Sequence, residues 1–180
     1  MDFSHLPLTP EGDLWVFAYG SLMWAPDFDP AACLSVQVHG WRRAFSLRST
    51  SAWGSEEKPG LCASLHAGGS VAGRALRVRA GQLENVLRDL AQREAAYLPR
   101  RLKARARGRP PFPMLGFVHD YDHPRSAAGL GLAEQARLIA QGRGSRGTSL
   151  FYLRQTLEEL AKDGRTDRQA ARLLELVLSI

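Results

Sequence analysis

The sequence predicts an α+β fold, a small mixed or barrel-like β-sheet flanked by helices, on three observations. Short apolar runs of strand character crowd the first two thirds of the chain, a single amphipathic helix interrupts them near the middle, and the last third is helical.

Taken in order, residues 1–13 are polar and contain prolines, and read as an irregular arm. Trp15-Val16-Phe17-Ala18-Tyr19 has the aromatic and β-branched content of a buried strand, which Gly20-Ser21 breaks sharply. Further strands are expected at Ser35–His39, Ala44–Leu47, Leu61–His66, Val71–Val78, Leu102–Ala106 and Met114–Val118, with Gly and Pro marking the connections. In Leu102-Lys103-Ala104-Arg105-Ala106-Arg107 apolar and cationic residues alternate strictly, so small side chains face inward and charges face water. Helices are expected at Gln82–Tyr97, Gly131–Gln141, Ser149–Lys162 and Asp167–Leu178, the last behind a Thr166-Asp167 capping signal that follows the Gly164 break.

A chain of 180 residues with 44% hydrophobic content can bury a core without disulfides or a structural metal, and no composition shift marks a linker, so residues 1–180 read as a single domain. Cys33 and Cys62 show neither C-x-x-C nor Cys/His ligand spacing; a reducing cytoplasm is the expected setting. The N-terminus lacks a basic segment followed by an apolar one, and no stretch approaches the ~20 apolar residues of a membrane span. Neither secretion nor a membrane partner is expected. The net charge of +6 is dominated by arginine, with only Lys58, Lys103 and Lys162 as lysines. Its spread from Arg42 to Arg172 is diffuse for a nucleic-acid footprint, and suits long-range attraction of small anions.

The mid-chain helix places Leu83, Val86, Leu87, Leu90 and Ala91 on one face, and four residues beyond Leu90 the same stripe arrives at Glu94. A carboxylate where the next core leucine belongs is partly desolvated and close to the negative end of the helix dipole, two conditions that favour proton uptake. The alternative is that the helix frays and Glu94 points to solvent or pairs with Arg93 or Arg101.

Several motifs stand in order along the chain: Tyr19-Gly20-Ser21-Leu22-Met23-Trp24, Gly40-Trp41-Arg42-Arg43-Ala44-Phe45, Lys58-Pro59-Gly60, Arg93-Glu94, and Gly144-Ser145-Arg146-Gly147 leading to Tyr152-Leu153. Together they resemble the ChaC family of γ-glutamylcyclotransferases from about Trp15 to about Leu160. The resemblance implies a γ-glutamylcyclotransferase-like fold and a reaction without cofactor or metal. In it the α-amine of a γ-glutamyl residue attacks its own γ-carbonyl, releasing 5-oxoproline and, from glutathione, cysteinylglycine. It also implies Glu94 as the catalytic carboxylate, a γ-glutamyl pocket lined by Tyr19, Gly20, Ser21 and Leu22, and Tyr152 with its hydroxyl near the substrate head. The residues fit these roles. A strand ending at Gly-Ser can aim amide N–H groups and a hydroxyl at a carboxylate, and the attacking ammonium needs one base to take its proton. Tyr152 reads equally as a core aromatic of an amphipathic helix. Many family members carry Ser-x-x-His-Arg-Gly before the Lys-Pro-Gly turn. Here the chain reads Ser51-Ala52-Trp53-Gly54 and is lengthened by Ser55-Glu56-Glu57, which leaves other γ-glutamyl compounds open as substrates.

Three other readings are weaker. Ser21 with His39, His66, His119 or His123 as base would make a serine hydrolase, but Ala18-Tyr19-Gly20-Ser21-Leu22 is not a G-x-S-x-G elbow. His119-Asp120-Tyr121-Asp122-His123 could be drawn as a metal cluster, yet it lies between a strand and Pro124 and reads better as a polar turn; no metal is expected. Arg100, Arg101, Arg105, Arg107, Arg109 and the 142–147 loop could bind nucleic acid, but a solvated strand edge and a loop are the simpler account, and no nucleic-acid partner is expected.

Overall fold

The computed structural model describes Phe3 and residues 5–180; residues 1, 2 and 4 of the expected irregular arm lie outside the described residues. The architecture is α+β, with five strands closed into a barrel and four α-helices. In chain order these are β1 (Leu14–Ala18), β2 (Ala32–Ser49), β3 (Gly60–Val78), α1 (Leu83–Arg93), β4 (Tyr97–Arg105), β5 (Phe112–His119), α2 (Leu132–Gln141), the two-residue strands β6 (Arg143–Gly144) and β7 (Gly147–Thr148), α3 (Ser149–Lys162) and α4 (Arg168–Leu178). Short 3-10 turns occupy Ser21–Met23 and Ala80–Gln82.

The expected Ser35–His39 and Ala44–Leu47 strands are one strand, β2, and Leu61–His66 and Val71–Val78 are likewise one strand, β3. Gly40, Gly68 and Gly69 look like breaks in the sequence, but they adopt positive φ (82°, 95° and 77°) inside the ladder. A left-handed glycine within a strand bends and twists it as a bulge does, and long bent strands are what a small barrel requires. The expected helix Gln82–Tyr97 is shorter at its end, because Tyr97 already begins β4, five residues ahead of the expected strand start. The alternation in β4 is as expected: Leu102 and Ala104 are buried, whereas Arg101, Lys103 and Arg105 are exposed. The three C-terminal helices match the periodicity to within a residue, since their caps are local: Thr148 accepts the Phe151 amide, and Asp167 accepts the Ala170 amide at 3.0 Å.

The chain divides into two compact units, Met1–Arg42 with Leu65–Asp120, and Arg43–Ser64 with Tyr121–Ile180. In the first unit the strand order is β1-β3-β2-β4-β5, closed by a parallel pairing of β5 with β1 at Val16 and Leu115. β1 is buried along its whole length because it has a neighbour on each side, antiparallel β3 (Leu14 opposite Val78, Ala18 opposite Arg74) and parallel β5. Parallel direction also means that β1 and β5 finish at the same end of the barrel. Tyr97, the first residue of β4, is paired there with His119, the last of β5, and α1 delivers the chain to that point. The turn after β1 and the last turn of α1 are thereby brought to one rim. In the second unit α2, α3 and α4 pack on one another around Ile139, Leu153, Leu160 and Leu173.

Candidate active site

The first unit holds the residues of the Tyr19–Leu22 motif together with Glu94. At the end of β1 the Tyr19 hydroxyl donates to the Phe117 carbonyl of β5 at 2.8 Å, so the ring fastens the strand end and its hydroxyl is committed to the frame. Gly20 (φ −137°, ψ −135°) then turns the chain into the 3-10 turn, whose first hydrogen bond runs from the Met23 amide to the Gly20 carbonyl at 2.9 Å. The amides of Ser21 and Leu22 precede that bond and take no part in the turn's own hydrogen bonding. Beside the strand end, a Cβ on Gly73 would collide with the Ala18 carbonyl and the Phe17 ring, so β3 can pass there only as glycine.

Of the alternatives for Glu94, exposure at a frayed helix end is not what occurs, while the pairing with Arg93 offered beside it does. Glu94 caps α1, its amide bonded to the Leu90 carbonyl at 2.8 Å and its carbonyl accepting the Tyr97 amide at 2.9 Å, and it is only 9% exposed. It continues a stripe in which Val86 and Leu90 are buried and Leu83, Leu87 and Ala91 half-buried. Its Oε1 lies 3.3 Å from Arg93 Nε, which offsets part of the cost of taking the carboxylate out of water.

Arg93 joins the two parts of the site. Its Nη2 donates to Ser21 Oγ at 2.9 Å, and its Nη1 donates to the Ala25 carbonyl and to Asp27 Oδ2, each at 2.6 Å. One guanidinium therefore touches both the turn after β1 and the carboxylate that ends α1. Sequence reasoning carried Arg93 as half of a motif and as one possible partner of Glu94, and passed over Asp27. The positive-φ position of Asp27 and the separation of 66 residues from Arg93 leave no local signal in the sequence.

The imidazoles offered as hydrolase bases do other things. Ser21 Oγ has Arg93 as its hydrogen-bond partner, not a histidine. His66 and His119 are buried and stacked on each other, with ring centroids 4.4 Å apart and planes at 21°. Burial, then the neighbouring His119 and Arg42, push His66 down from its ordinary value to about 4. An unfolded chain takes up this proton near pH 6.5, so the folded state binds fewer protons between about pH 4 and pH 6.5. The stabilisation is complete above that window and is lost as pH falls through it, by about 3 kcal/mol at most. Urea unfolding of wild type and His66→Gln across pH 4–7.5 should show that slope in the wild type only; an equal slope in both would refute this assignment. In the second unit His123 Nδ1 accepts the Arg125 amide at 3.1 Å, the polar turn expected there. Among the described residues no three His, Cys, Asp or Glu side chains are grouped as metal ligands.

The second unit contains Tyr152. It is buried in α3, its hydroxyl accepts the Ala63 amide at 3.3 Å, and its ring meets Trp53 and Phe45 edge-on at 5.2 and 6.1 Å. These are the surroundings of a core aromatic. The same unit explains the late glycine motif and orders the divergent loop. The Ser145 and Arg146 amides, in the turn between β6 and β7, donate to the carbonyls of Ser51 and Ala52, both at 2.8 Å. A Cβ on Gly144 would strike that backbone. Trp53 is buried in the loop, stacked on Phe151 at 6.1 Å.

Comparison with known proteins adds the following. The family described as ChaC-like protein matches residues 14–180. The glutathione-specific gamma-glutamylcyclotransferase of Escherichia coli (strain K12) is 34% identical over 160 residues, 87% of this chain and 69% of that protein. Glutathione-specific gamma-glutamylcyclotransferase 1 of Danio rerio is 32% identical over 150 residues, 79% of this chain and 76% of that protein. In fold, the crystal structure of a yeast γ-glutamyl cyclotransferase described as specific to glutathione superposes with a TM-score of 0.86 at 19% identity, covering 93% of this chain and 96% of that one. A solved γ-glutamyl cyclotransferase follows at a TM-score of 0.58 and 11% identity, covering 89% and 86%.

Proposed function

Because this chain belongs to the ChaC-like protein family, we propose that it is a γ-glutamylcyclotransferase that degrades glutathione to 5-oxoproline and cysteinylglycine. The observation that carries the reading is the tether described above: a buried carboxylate, Glu94, held 3.3 Å from the guanidinium that also holds Ser21 of the turn after β1. Relatives named as glutathione-specific support glutathione as the γ-glutamyl compound.

The chemistry assigns each part a task. The α-carboxylate of the γ-glutamyl head sits against the amides of Ser21 and Leu22 and the Ser21 hydroxyl, beside the Tyr19 ring and Gly20. The α-amine, mostly ammonium at neutral pH, gives a proton to Glu94 and attacks the γ-carbonyl carbon, forming the ring C–N bond. The bond to the cysteine nitrogen breaks as Glu94 returns the proton to that nitrogen, and the second proton, shed by the ring nitrogen as it becomes an amide, follows it, so cysteinylglycine leaves as its ammonium form and the balance closes without water or a redox partner. Nucleophile and electrophile belong to one molecule, so holding the folded substrate supplies much of the rate. The exposed cations Arg101, Lys103, Arg105 and Arg107 contribute attraction of an anionic substrate. A reducing cytoplasm is the setting we propose, on the absence of ligand or disulfide spacing for Cys33 and Cys62 in the sequence.

The test is incubation of the purified protein with glutathione and a panel of γ-glutamyl amino acids and amines, following 5-oxoproline. Release from glutathione, with an equal amount of cysteinylglycine and at least about tenfold preference over the panel, is the expected result; a tenfold difference corresponds to about 1.4 kcal/mol of transition-state binding. Faster turnover of another panel member would overturn the substrate and keep the chemistry. No 5-oxoproline from any compound would overturn both.

A further inference from the structure

We propose that Asp27 and Arg93 are a positioning pair that sets the Ser21 hydroxyl as a substrate hydrogen-bond donor, an inference that rests on the function proposed above. The guanidinium is 16% exposed and each of its three nitrogens has a protein partner: Nη1 the Ala25 carbonyl and Asp27 Oδ2, Nη2 Ser21 Oγ, and Nε, at 3.3 Å, Glu94 Oε1. A guanidinium so occupied has no pair of N–H groups left to clamp an anion bidentately. Its effect is on its neighbours. A hydroxyl oxygen that accepts a hydrogen bond from a cation must send its own proton elsewhere, and polarisation by the cation makes that proton the better donor. Ser21 thereby acts as a donor in a set direction, which suits a carboxylate or carbonyl oxygen of the substrate.

Asp27 is what holds the guanidinium in that attitude. Among the described residues it is the one non-glycine with positive φ (63°), a conformation aspartate tolerates better than most side chains but which still has a cost. That conformation delivers its carboxylate to Arg93 Nη1 while the Ala25 carbonyl takes the same nitrogen, so the segment from Gly20 to Asp27 closes around one side chain of α1. Lysine could not reproduce this, because a single ammonium nitrogen lacks the planar fork whose three nitrogens reach four partners at once.

Asp27→Asn separates positioning from folding, since asparagine keeps the shape and accepts the left-handed conformation. With glutathione as substrate, Asp27→Asn should raise KM about three- to tenfold with kcat within about twofold of wild type. Arg93→Lys should raise KM by about tenfold or more. In a Ser21→Ala background Asp27→Asn should change KM by less than about twofold, because the group it positions is gone. An unchanged KM in Asp27→Asn, or the same multiplication of KM with and without Ser21, would overturn the inference while wild-type turnover of glutathione leaves the proposed function standing. A wild type inactive on every γ-glutamyl compound would mean that the function itself had failed, and the inference with it.

Discussion

Glu94→Gln is expected to leave the protein folded and to lower kcat for 5-oxoproline release by about 10³-fold or more, in the range that loss of a general base or acid produces. The substitution is nearly isosteric. The backbone bonds that place residue 94, its amide on the Leu90 carbonyl and its carbonyl on the Tyr97 amide, do not involve the side chain and persist. A glutamine can still accept from Arg93 Nε, but its amide cannot take the proton that the substrate ammonium must lose. Binding should therefore survive where turnover does not, with the dissociation constant for glutathione changing only a few-fold. Steady-state kinetics, a binding isotherm and a thermal melt on the same preparation make the check. Turnover within tenfold of wild type in a folded variant would remove Glu94 from the mechanism.

The second large effect concerns stability and lies in the second unit. Arg43 is buried, its side chain 2% exposed, and its Nη1 meets Asp167 Oδ2 at 2.5 Å. Asp167 is also the N-cap of α4, through Oδ1 and the Ala170 amide. Replacing it with alanine removes a cap, ordinarily worth about 1 kcal/mol, and also breaks a buried ion pair from one side, a change that costs about 3–5 kcal/mol. The expected total loss for Asp167→Ala is about 4 kcal/mol in urea unfolding at neutral pH. Asp167→Asn keeps a good capping side chain and loses only the charge, so it should cost about 3 kcal/mol. If both variants lose less than about 1 kcal/mol, the pair is not holding α4 to Arg43.

Legibility in the sequence followed the range of the interaction. The cap of α4 and the alternation of β4 act within three or four residues, and each was readable from residue type and spacing alone. Gly40, Gly68 and Gly69 were not, because the same glycine that ends a strand also bends one, and only the neighbouring strands decide between the two. At Glu94 periodicity reached the right face of α1 but could not tell a buried cap from a frayed end. That choice depends on what packs over residue 94. For Tyr152 the structure displays a core aromatic bonded to the Ala63 amide, which is the surrounding that one of its two readings required.

By itself the sequence determined the fold class, the three C-terminal helices, membership of a family through motifs standing in order, and with it the class of chemistry. These rest on local periodicity and residue identity, which survive in one dimension. Only the tertiary structure decided that Glu94 is buried, that β1 and β5 end together, and that Arg93 reaches Ser21 and Asp27 across 72 and 66 residues. Burial and charge pairing are properties of contacts between distant segments, created when the strands close into a barrel. Composition and spacing carry no trace of them until that closure has taken place.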